Sequence, residues 1–215
     1  SDTGSEVDSS KIYHQVASGF DRLEREGVIA PLRSFLNGAA TGVAQAAQVA
    51  ANVAALKASM GFFTSHLQQV GQRLHLSSQT DAELTAIPQL VDLGVQAEDT
   101  VEKLVAEKID QVVMDFVAQL DWTPEQPSNA GDGSEMVHTM IAYLNMTFIP
   151  LTTLLPTSTV AMLYKSMIEE ISVNVLNSIL GEIPSFNMFG ILDFNSELSI
   201  LEEFARTAPV QGLKE

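Results

Sequence analysis

The segment from Thr41 to Leu67, TGVAQAAQVAANVAALKASMGFFTSHL, constrains the fold more than any other part of the chain, because Lys57 is its only charged residue. Alanine dominates its first half and loses no side-chain entropy when a helix forms. A helix that is apolar on most sides is normally buried among other helices. The segment therefore predicts a central core helix from about Gly42 to about Leu76. Its apolar positions go most of the way round the helix: Val43, Ala46, Ala47, Val49, Ala50, Val53, Ala54, Leu56 and Ala58.

Apolar residues recur at three- and four-residue spacing on both sides of this segment, and no segment of the chain has the alternation of a confident strand. Before it, the helical spacing begins at Lys11 and is interrupted by Gly27 and Pro31, since proline donates no backbone hydrogen bond inside a helix. Overall, the pattern is that of an all-α protein.

The helix that follows the core segment is expected to start near Pro88, which suits a first helical turn, with Asp81 or Thr85 as its cap. Three more helices are predicted in the last third of the chain. The first ends towards Pro150, the second runs from Pro156 to Gly181, and the third runs from about Asn187 to Arg206.

Residues Asp121–Gly133, DWTPEQPSNAGDG, form the one obvious boundary, with two prolines and two glycines in thirteen residues. They permit a hinge, or a fixed corner in which Trp122 anchors the end of one helix against the next. The predicted architecture is all-α, with elongated tandem antiparallel helical bundles. Its parts are a disordered tail (1–10), a first bundle (11–121), a linker (122–134), a second bundle (135–208) and a second tail (209–215).

The charge and the apolar runs exclude several classes of function. The chain carries 27 acidic and 11 basic residues, a formal net charge of −16, so no basic patch is available to bind nucleic acid or anionic lipid. It has no cysteine, which excludes disulfides and thiol chemistry. Two uncharged runs, 34–56 and 136–164, are broken by polar residues or by prolines, so we interpret them as buried helices of a soluble protein and not as membrane spans.

No arrangement of residues indicates catalysis. The four histidines are far apart, none lies at metal-binding spacing with a carboxylate, and no nucleophile elbow, phosphate loop or dinucleotide fingerprint occurs. We therefore predict no enzyme activity, no cofactor and no metal. The residues alone indicate an acidic helical protein that works by binding.

Several short motifs resemble one family, the Rab-binding exocyst subunit known as the Sec-fifteen family, in the forms found in photosynthetic organisms. The likeness covers roughly residues 43–208, and it depends on the order and spacing of the motifs together. The motifs are Ala51-Asn52-Val53-Ala54, Phe62-Phe63, Lys108-Ile109-Asp110, Asp121-Trp122-Thr123, and Phe194-Asn195 followed by Glu203-Phe204-Ala205. Family members also carry an N-terminal coiled-coil region and further helices after Ala205. The resemblance therefore implies that this chain is the middle of the C-terminal half of such a subunit.

The resemblance implies a role in exocytosis. The exocyst is a helical complex that tethers secretory vesicles to the plasma membrane, and the C-terminal region of this subunit is an effector site for GTP-loaded Rab GTPases. The implied partners are other exocyst subunits and a Rab GTPase in its GTP form, with no nucleic acid. The implied location is the cytoplasm, with recruitment to vesicles and plasma membrane only through partners.

The residues expected to contact the Rab lie on the last helix. They are Phe194, Asn195, Leu198 and Leu201, and Asn195 is the most promising, because a polar residue beside exposed apolar ones is typical of a partner surface. The alternative for the three apolar residues is an ordinary place in the core.

Three other functions remain open from the sequence. The first is a helical scaffold or ligand-binding bundle without Rab contact. The second is a helical enzyme or carrier with a site buried between bundles. The third is a membrane-inserted fragment that uses the two uncharged runs.

Overall fold

A computed structural model describes residues 3–38, 41–74, 84–128, 133–181 and 183–207. Every regular element in these ranges is a helix, which confirms the predicted all-α class and its packed helices. The elements are α1 (Thr3–Arg22), a π-helix (Leu23–Ile29), α2 (Ala30–Leu36), α3 (Val43–Arg73), α4 (Ala86–Gln119), α5 (Glu135–Leu154), α6 (Thr157–Gly181) and α7 (Met188–Thr207).

The chain forms two compact units, Ser1–Thr100 and Val101–Glu215. The first contains α1, the π-helix, α2, α3 and the beginning of α4. The rings of Phe20 and Phe63 stack with their centroids 3.7 Å apart and join α1 to α3. The buried apolar side chains of this unit include Tyr13, Ala17, Ile29, Leu36, Ala46, Ala47, Val49, Val53, Met60, Leu90 and Leu93.

The predicted interruption at Gly27 and Pro31 is instead a π-helical segment, and the helix continues through it to Leu36. The N–H of Ala30 donates to the carbonyl of Arg25, five residues back. This extra residue in the turn means that the proline ring does not meet the carbonyl that an α-helix would place against it. α1 itself begins at Thr3, eight residues before the apolar spacing that predicted it.

The core segment forms the predicted helix, α3, but the expectation that it is buried on nearly all sides is wrong. One face is buried, from Val43 to Met60, while Ala54, Ala55 and Ala58 are exposed and Phe62 is 68% exposed. Within the residues described, α3 thus has a small-residue face open to solvent. Alanine fits both environments, because it favours helix whether or not it is buried.

The second unit packs the remainder of α4 with α5, α6 and α7, and α5 contacts both α6 and α7. Its buried apolar side chains include Val105, Ile109, Val113, Phe116, Val137, Met140, Leu144, Phe148, Leu151, Leu163, Met167 and Leu201. α5 continues through Pro150 to Leu154, four residues beyond its predicted end.

The predicted bundles, 11–121 and 135–208, and the linker between them remain predictions, and the predicted tail 209–215 lies outside the described residues. Among the helices that the structure describes, none is long and apolar enough to cross a membrane.

Candidate functional site

Helix α7 begins at a cap built by Asn187. The Asn187 Oδ1 atom accepts the N–H of Gly190 at 2.8 Å, which satisfies one of the backbone donors left free at a helix N-terminus. The apolar residues Phe194, Leu198 and Leu201 then follow at spacings of four and three. That spacing places them on one face of the helix.

This face of α7 and one face of α6 enclose a half-open groove of about 400 Å³. Leu201 lies buried on the α7 wall, whereas Leu176, on the α6 wall, is 56% exposed. The groove is lined by Ile168, Ile171, Ser172, Val175 and Leu176 of α6 and by Phe194, Leu198, Leu201, Glu202, Phe204 and Ala205 of α7.

The groove contains three of the four residues that the sequence singled out. Phe194 and Leu198 are half-buried in its wall and Leu201 is buried, so each of them also serves packing. Asn195 does not line the groove. It is exposed, because its position on the helix is turned about 100° from that of Phe194.

The α7 wall is supported from behind by Trp122. The Trp122 and Phe194 ring centroids are 5.1 Å apart, and the indole Nε1 donates to the carbonyl of Val117 at 3.2 Å. From the sequence, Trp122 is expected to anchor the end of a helix and Phe194 is expected to contact the Rab. The structure brings the two side chains together.

The loop around Trp122 is hydrogen-bonded to the start of α7 at three points. The Asn187 N–H donates to the Trp122 carbonyl at 3.0 Å, and the Asn187 Nδ2 donates to the Pro124 carbonyl at 2.8 Å. The Ser128 N–H donates to the Asp193 carboxylate at 3.1 Å. In the described residues up to 128, the loop is therefore fixed against α7.

We expect Phe194→Ala to lower the free energy of unfolding of the second unit by about 2 kcal/mol, because it removes a half-buried aromatic ring that contacts Trp122. The emission of Trp122, the only tryptophan, should shift to longer wavelength as water reaches the indole. Urea unfolding followed by Trp122 fluorescence measures both effects. The matched control is Phe189→Ala on the same helix, where the ring is exposed, and an equal loss in both variants would contradict this assignment.

A buried glutamate joins α7 to the start of α5. Glu197 is 5% exposed, and its Oε1 accepts the N–H of Ser134 at 2.9 Å. Ser134 caps α5, and its side chain accepts the N–H of Val137. The residue before it, Gly133, has a φ of +76°, which an L side chain rarely adopts. A negative charge at a helix N-terminus is stabilising, so this contact fixes α7 against α5.

Tyr164 anchors the other end of α7. Its ring packs on Phe148 of α5 and on Phe204 of α7, and its hydroxyl donates to the Phe204 carbonyl at 3.4 Å. Burial raises the pKa of Tyr164 to about 12, since the phenolate would lose its hydration. The phenol thus stays a hydrogen-bond donor across the physiological pH range.

Sequence reasoning missed the α6 wall of the groove and the residues that fix α7 in place. Ile171 and Val175 were recognisable as the inward face of α6, but nothing local indicates that this face is left partly uncovered. Asn187 and Glu197 bond to residues more than sixty positions away, so no motif could have revealed them. Across the residues described, no group of three or more histidine, aspartate and glutamate side chains could hold a metal ion.

Comparison with known proteins gives one family and two relatives. The family model described as exocyst complex subunit Sec15, C-terminal, matches residues 1–215. The chain is 24% identical over 196 residues to the exocyst complex component SEC15B of Arabidopsis thaliana, which covers 89% of the chain and 24% of that protein. It is 26% identical over 166 residues to SEC15A of the same plant, which covers 76% of the chain and 21% of that protein. The chain thus spans about a quarter of the length of these relatives, and no solved structure matches it.

Proposed function

Because the chain belongs to the Sec15 C-terminal family of exocyst subunits, we propose that it acts in tethering secretory vesicles to the plasma membrane through protein–protein contact, including contact with a GTP-loaded Rab GTPase. The resemblance stated from the motifs is confirmed by the family match. The proposal includes a cytoplasmic location, with recruitment to vesicles and plasma membrane through partners. In this proposal the chain functions by binding other proteins and not by catalysing a reaction.

The observation that carries the proposal is the half-open apolar groove between α6 and α7. Soluble proteins seldom leave large apolar side chains exposed together unless another protein covers them. Ile191 is 49% exposed and lies one turn before Phe194, so the apolar surface continues along α7 past the end of the groove. Exposed Asn195 adds a polar group at the edge of this surface, where it can supply a directional hydrogen bond to a partner.

The contacts that hold both ends of α7 make the groove a rigid surface, and rigidity favours binding. Asn187, Asp193 and Trp122 hold the start of α7, and Tyr164 holds its end. A surface that is already rigid loses little conformational entropy on binding. Selection of the GTP form would then arise from the Rab, whose conformation differs between its two nucleotide states.

A scaffold without Rab contact is the second candidate, and one observation in the first unit favours it. Ile12, Val16 and Leu23 of the first helical stretch are 60%, 52% and 62% exposed, at spacings that put them on one face. Such a face is suited to packing against another helix, and the exocyst is the complex that would provide one.

The test is retention of Rab GTPases on the immobilised chain, with each Rab loaded either with a non-hydrolysable GTP analogue or with GDP. Retention of a Rab in the GTP-analogue form only is the expected result. Equal retention in both forms, or none in either across a panel of Rab GTPases, would contradict the effector proposal and favour the scaffold.

We expect Asn195→Ala to weaken binding of the retained Rab about tenfold while leaving the fold unchanged, since an exposed side chain at an interface edge contributes about 1 to 2 kcal/mol to binding when it makes a directional contact. Titration calorimetry gives the affinity and thermal unfolding gives the stability. The matched control is Asn52→Ala, an exposed amide on α3 in the first unit. Unchanged affinity in the Asn195→Ala variant would overturn the assignment of that residue.

A further inference from the structure

We propose that one face of the first unit, between its first helical stretch and α3, binds an amphipathic helix of a partner protein whose apolar ridge is flanked by aspartate and glutamate. This inference rests on the proposed function in one respect, that the chain acts by protein–protein contact. The face lies in the first unit, whereas the residues proposed for the Rab lie in the second. The inference adds the charge of the partner that this face selects.

The first helical stretch and α3 run antiparallel and form an open groove at one end of their contact. Phe20 stacks on Phe63, and Gly27, seven residues after Phe20, lies across the groove from Asn52 and Ser59, which come earlier in α3. The groove has a volume of about 460 Å³. Two helices packed in this way offer a place for the side-chain ridge of a third helix.

Three large aliphatic side chains extend the wall of the groove along the first helical stretch. Leu23 adjoins the groove, since its Cδ1 atom lies 3.4 Å from a β-carbon added at Gly27. Val16 and Ile12 lie two and three turns before Leu23 on the same face of the helix. Each of the three side chains is more than half exposed. Together they form an aliphatic stripe, Ile12, Val16 and Leu23, that a partner can cover.

Two unpaired cations lie along the outer edge of the aliphatic stripe. Lys11 and Arg22 each precede a stripe residue by one position, which places them about 100° round the helix from it. They point away from the protein, because Tyr13 and Ala17, which follow stripe residues, are buried. Both cations are exposed, and neither forms an ion pair with another described side chain. Glu26 is the one acidic side chain on this edge among those that the structure describes.

The opposite edge, on α3, is basic as well. Four polar residues follow one another there at intervals of seven, which places them along one line of the helix: Asn52, Ser59, His66 and Arg73. Asn52 and Ser59 line the groove, so His66 and Arg73 continue its wall beside the aliphatic stripe. Arg73 is exposed and has no ion-pair partner in the described part of the chain. The sequence of α3 contains no acidic residue that could offset it.

The acidic residues of α4 lie on the other side of the unit. Asp21 accepts the first N–H of α4, and it lies about 160° round the helix from Leu23. α4 therefore packs opposite the aliphatic stripe, and its Asp92 is already paired with Arg33. Among the described side chains, the face thus presents three cations and one carboxylate. Complementary charge steers an acidic partner to such a face and disfavours a basic one.

The length of the face also suits a helix. Its α3 edge, from Asn52 to Arg73, measures about 32 Å at a rise of 1.5 Å per residue. Helix-in-groove recognition uses apolar side chains at positions i, i+3 or i+4, and i+7 of the bound helix, and the face is long enough for two such sets. An anionic membrane is a poorer match, because it would also meet the net charge of −16, which it repels.

The test uses two fluorescein-labelled peptides of eighteen residues with the same leucine ridge, one flanked by glutamate and the other by lysine. Fluorescence anisotropy reports their binding to the purified chain. At 0.15 M salt, charges more than about 8 Å apart are largely screened, so the charges of the face outweigh the net charge of the chain. We expect the glutamate-flanked peptide to bind about tenfold more tightly, whereas the net charge of −16 alone would favour the lysine-flanked peptide.

Reversing the charge of the face should reverse this preference. We expect the variant with Lys11→Glu, Arg22→Glu and Arg73→Glu to bind the lysine-flanked peptide more tightly than the glutamate-flanked one. Arg22→Glu alone should weaken the glutamate-flanked peptide about threefold. The matched control is Lys57→Glu, an exposed cation that lies two residues before Ser59 and therefore about 160° from the groove line of α3. It should leave the preference unchanged.

Two further variants locate the apolar contact. Leu23 and Val95 are both exposed apolar residues of the first unit, and Leu23 lies on the aliphatic stripe whereas Val95 lies on α4. We expect Leu23→Asn to weaken the glutamate-flanked peptide about tenfold and Val95→Asn to change its affinity less than about twofold. Circular dichroism checks that every variant keeps its helix content.

Several results would overturn the inference: no binding of the glutamate-flanked peptide, equal or tighter binding of the lysine-flanked peptide, an unchanged preference in the charge-reversed variant, or equal effects of Leu23→Asn and Val95→Asn. Retention of the chain on phosphatidylserine vesicles, lost in Arg22→Glu, would assign the face to lipid instead. Peptide binding is measured without a Rab. Retention of a GTP-loaded Rab with no peptide binding would therefore reject this face and keep the effector role, and peptide binding without Rab retention would keep the face and reject the effector role.

Discussion

Gly190→Ala is expected to destabilise the second unit by about 2 to 3 kcal/mol, although alanine is the better helix former. Gly190 lies buried in the first turn of α7 against the backbone of Trp122. A β-carbon added there would lie 2.7 Å from the Trp122 carbonyl carbon and closer still to its oxygen. Atoms of real side chains do not approach a backbone carbonyl this closely, so either the loop or the helix must move.

The loop cannot move without losing other contacts. The same Trp122 carbonyl accepts the Asn187 N–H, and the Trp122 ring packs on Phe194. A displacement that accommodates alanine at position 190 therefore weakens the anchor behind the groove. We expect a loss of stability together with a change in the emission of Trp122.

Urea unfolding measures the effect, followed by Trp122 fluorescence for Gly190→Ala. The control, Gly61→Ala, is followed by circular dichroism, because the first unit contains no tryptophan. Gly61 is an exposed helical glycine in α3 with no atom within 4 Å of an added β-carbon. Alanine there should be stabilising by about 0.5 to 1 kcal/mol, because it lowers the conformational entropy of the unfolded chain and meets no neighbouring atom in the folded one. We expect Gly190→Ala to lower the free energy of unfolding and Gly61→Ala to raise it. A Gly190→Ala variant as stable as the wild type would show that the close contact with Trp122 is relieved at no cost.

The helices themselves were predictable from the sequence. Apolar residues at helical spacing placed α3, α6 and α7 within a few residues of their ends, since that spacing follows from the helix repeat itself. Local signals also misled at two prolines. The sequence predicts interruptions at Pro31 and Pro150, but a π-helical segment precedes Pro31 and α5 continues through Pro150.

Burial and the groove were harder to predict, because they depend on which helices meet. The small residues of α3 are compatible with a buried face and with an exposed one, and the sequence could not separate Ala47 from Ala55. Phe194, Leu198 and Leu201 were identified from a motif. Their opposite wall on α6, with Leu176 at its edge, became visible only when the two helices were placed side by side.

Two of the motifs that carry the family resemblance contact each other in the folded chain. Asp121-Trp122-Thr123 and Phe194-Asn195 lie more than seventy residues apart in the sequence. In the folded chain, Trp122 packs on Phe194 at 5.1 Å, so one motif supports the other. Asn195 then faces solvent beside a rigid aromatic pair. In this interpretation the two motifs form one structural element.

Asp21→Ala is expected to destabilise the first unit by about 3 kcal/mol, because Asp21 caps a helix to which it is not adjacent in sequence. Its side chain is buried, with the residue 7% exposed. The Ala86 N–H, at the start of α4, donates to its Oδ1 at 2.7 Å, and the Thr85 hydroxyl donates to its Oδ2 at 2.7 Å. Arg25 donates to the same carboxylate from 3.0 Å. The Ala86 N–H is thus bonded by a residue sixty-five positions away, while Asp81, one of the two caps expected from the sequence, lies outside the described residues.

The effect should depend on pH. Burial raises the pKa of Asp21, but the hydrogen bonds from Ala86 and Thr85 and the charge of Arg25 outweigh it and hold the pKa below its ordinary value of 3.8. A carboxyl with a lower pKa in the folded state stabilises the fold fully above its ordinary pKa, and this contribution is lost as the pH falls through the folded-state pKa. Asp21→Asn, which keeps the shape and removes the charge, should therefore differ from the wild type more at pH 7 than at pH 3.

Hydrogen exchange of peptides from the start of α4 measures this difference, since the first unit contains no tryptophan. The control is Asp92→Asn, whose carboxylate is 60% exposed and accepts a bond from Arg33 at 3.3 Å. An exposed pair of this kind contributes at most about 1 kcal/mol, because solvent screens it. Exchange near Ala86 should accelerate strongly in both Asp21 variants and little in Asp92→Asn. Equal hydrogen-exchange protection near Ala86 in all three variants would mean that Asp21 does not stabilise the start of α4. The stability of the first unit would then depend on its apolar contacts alone.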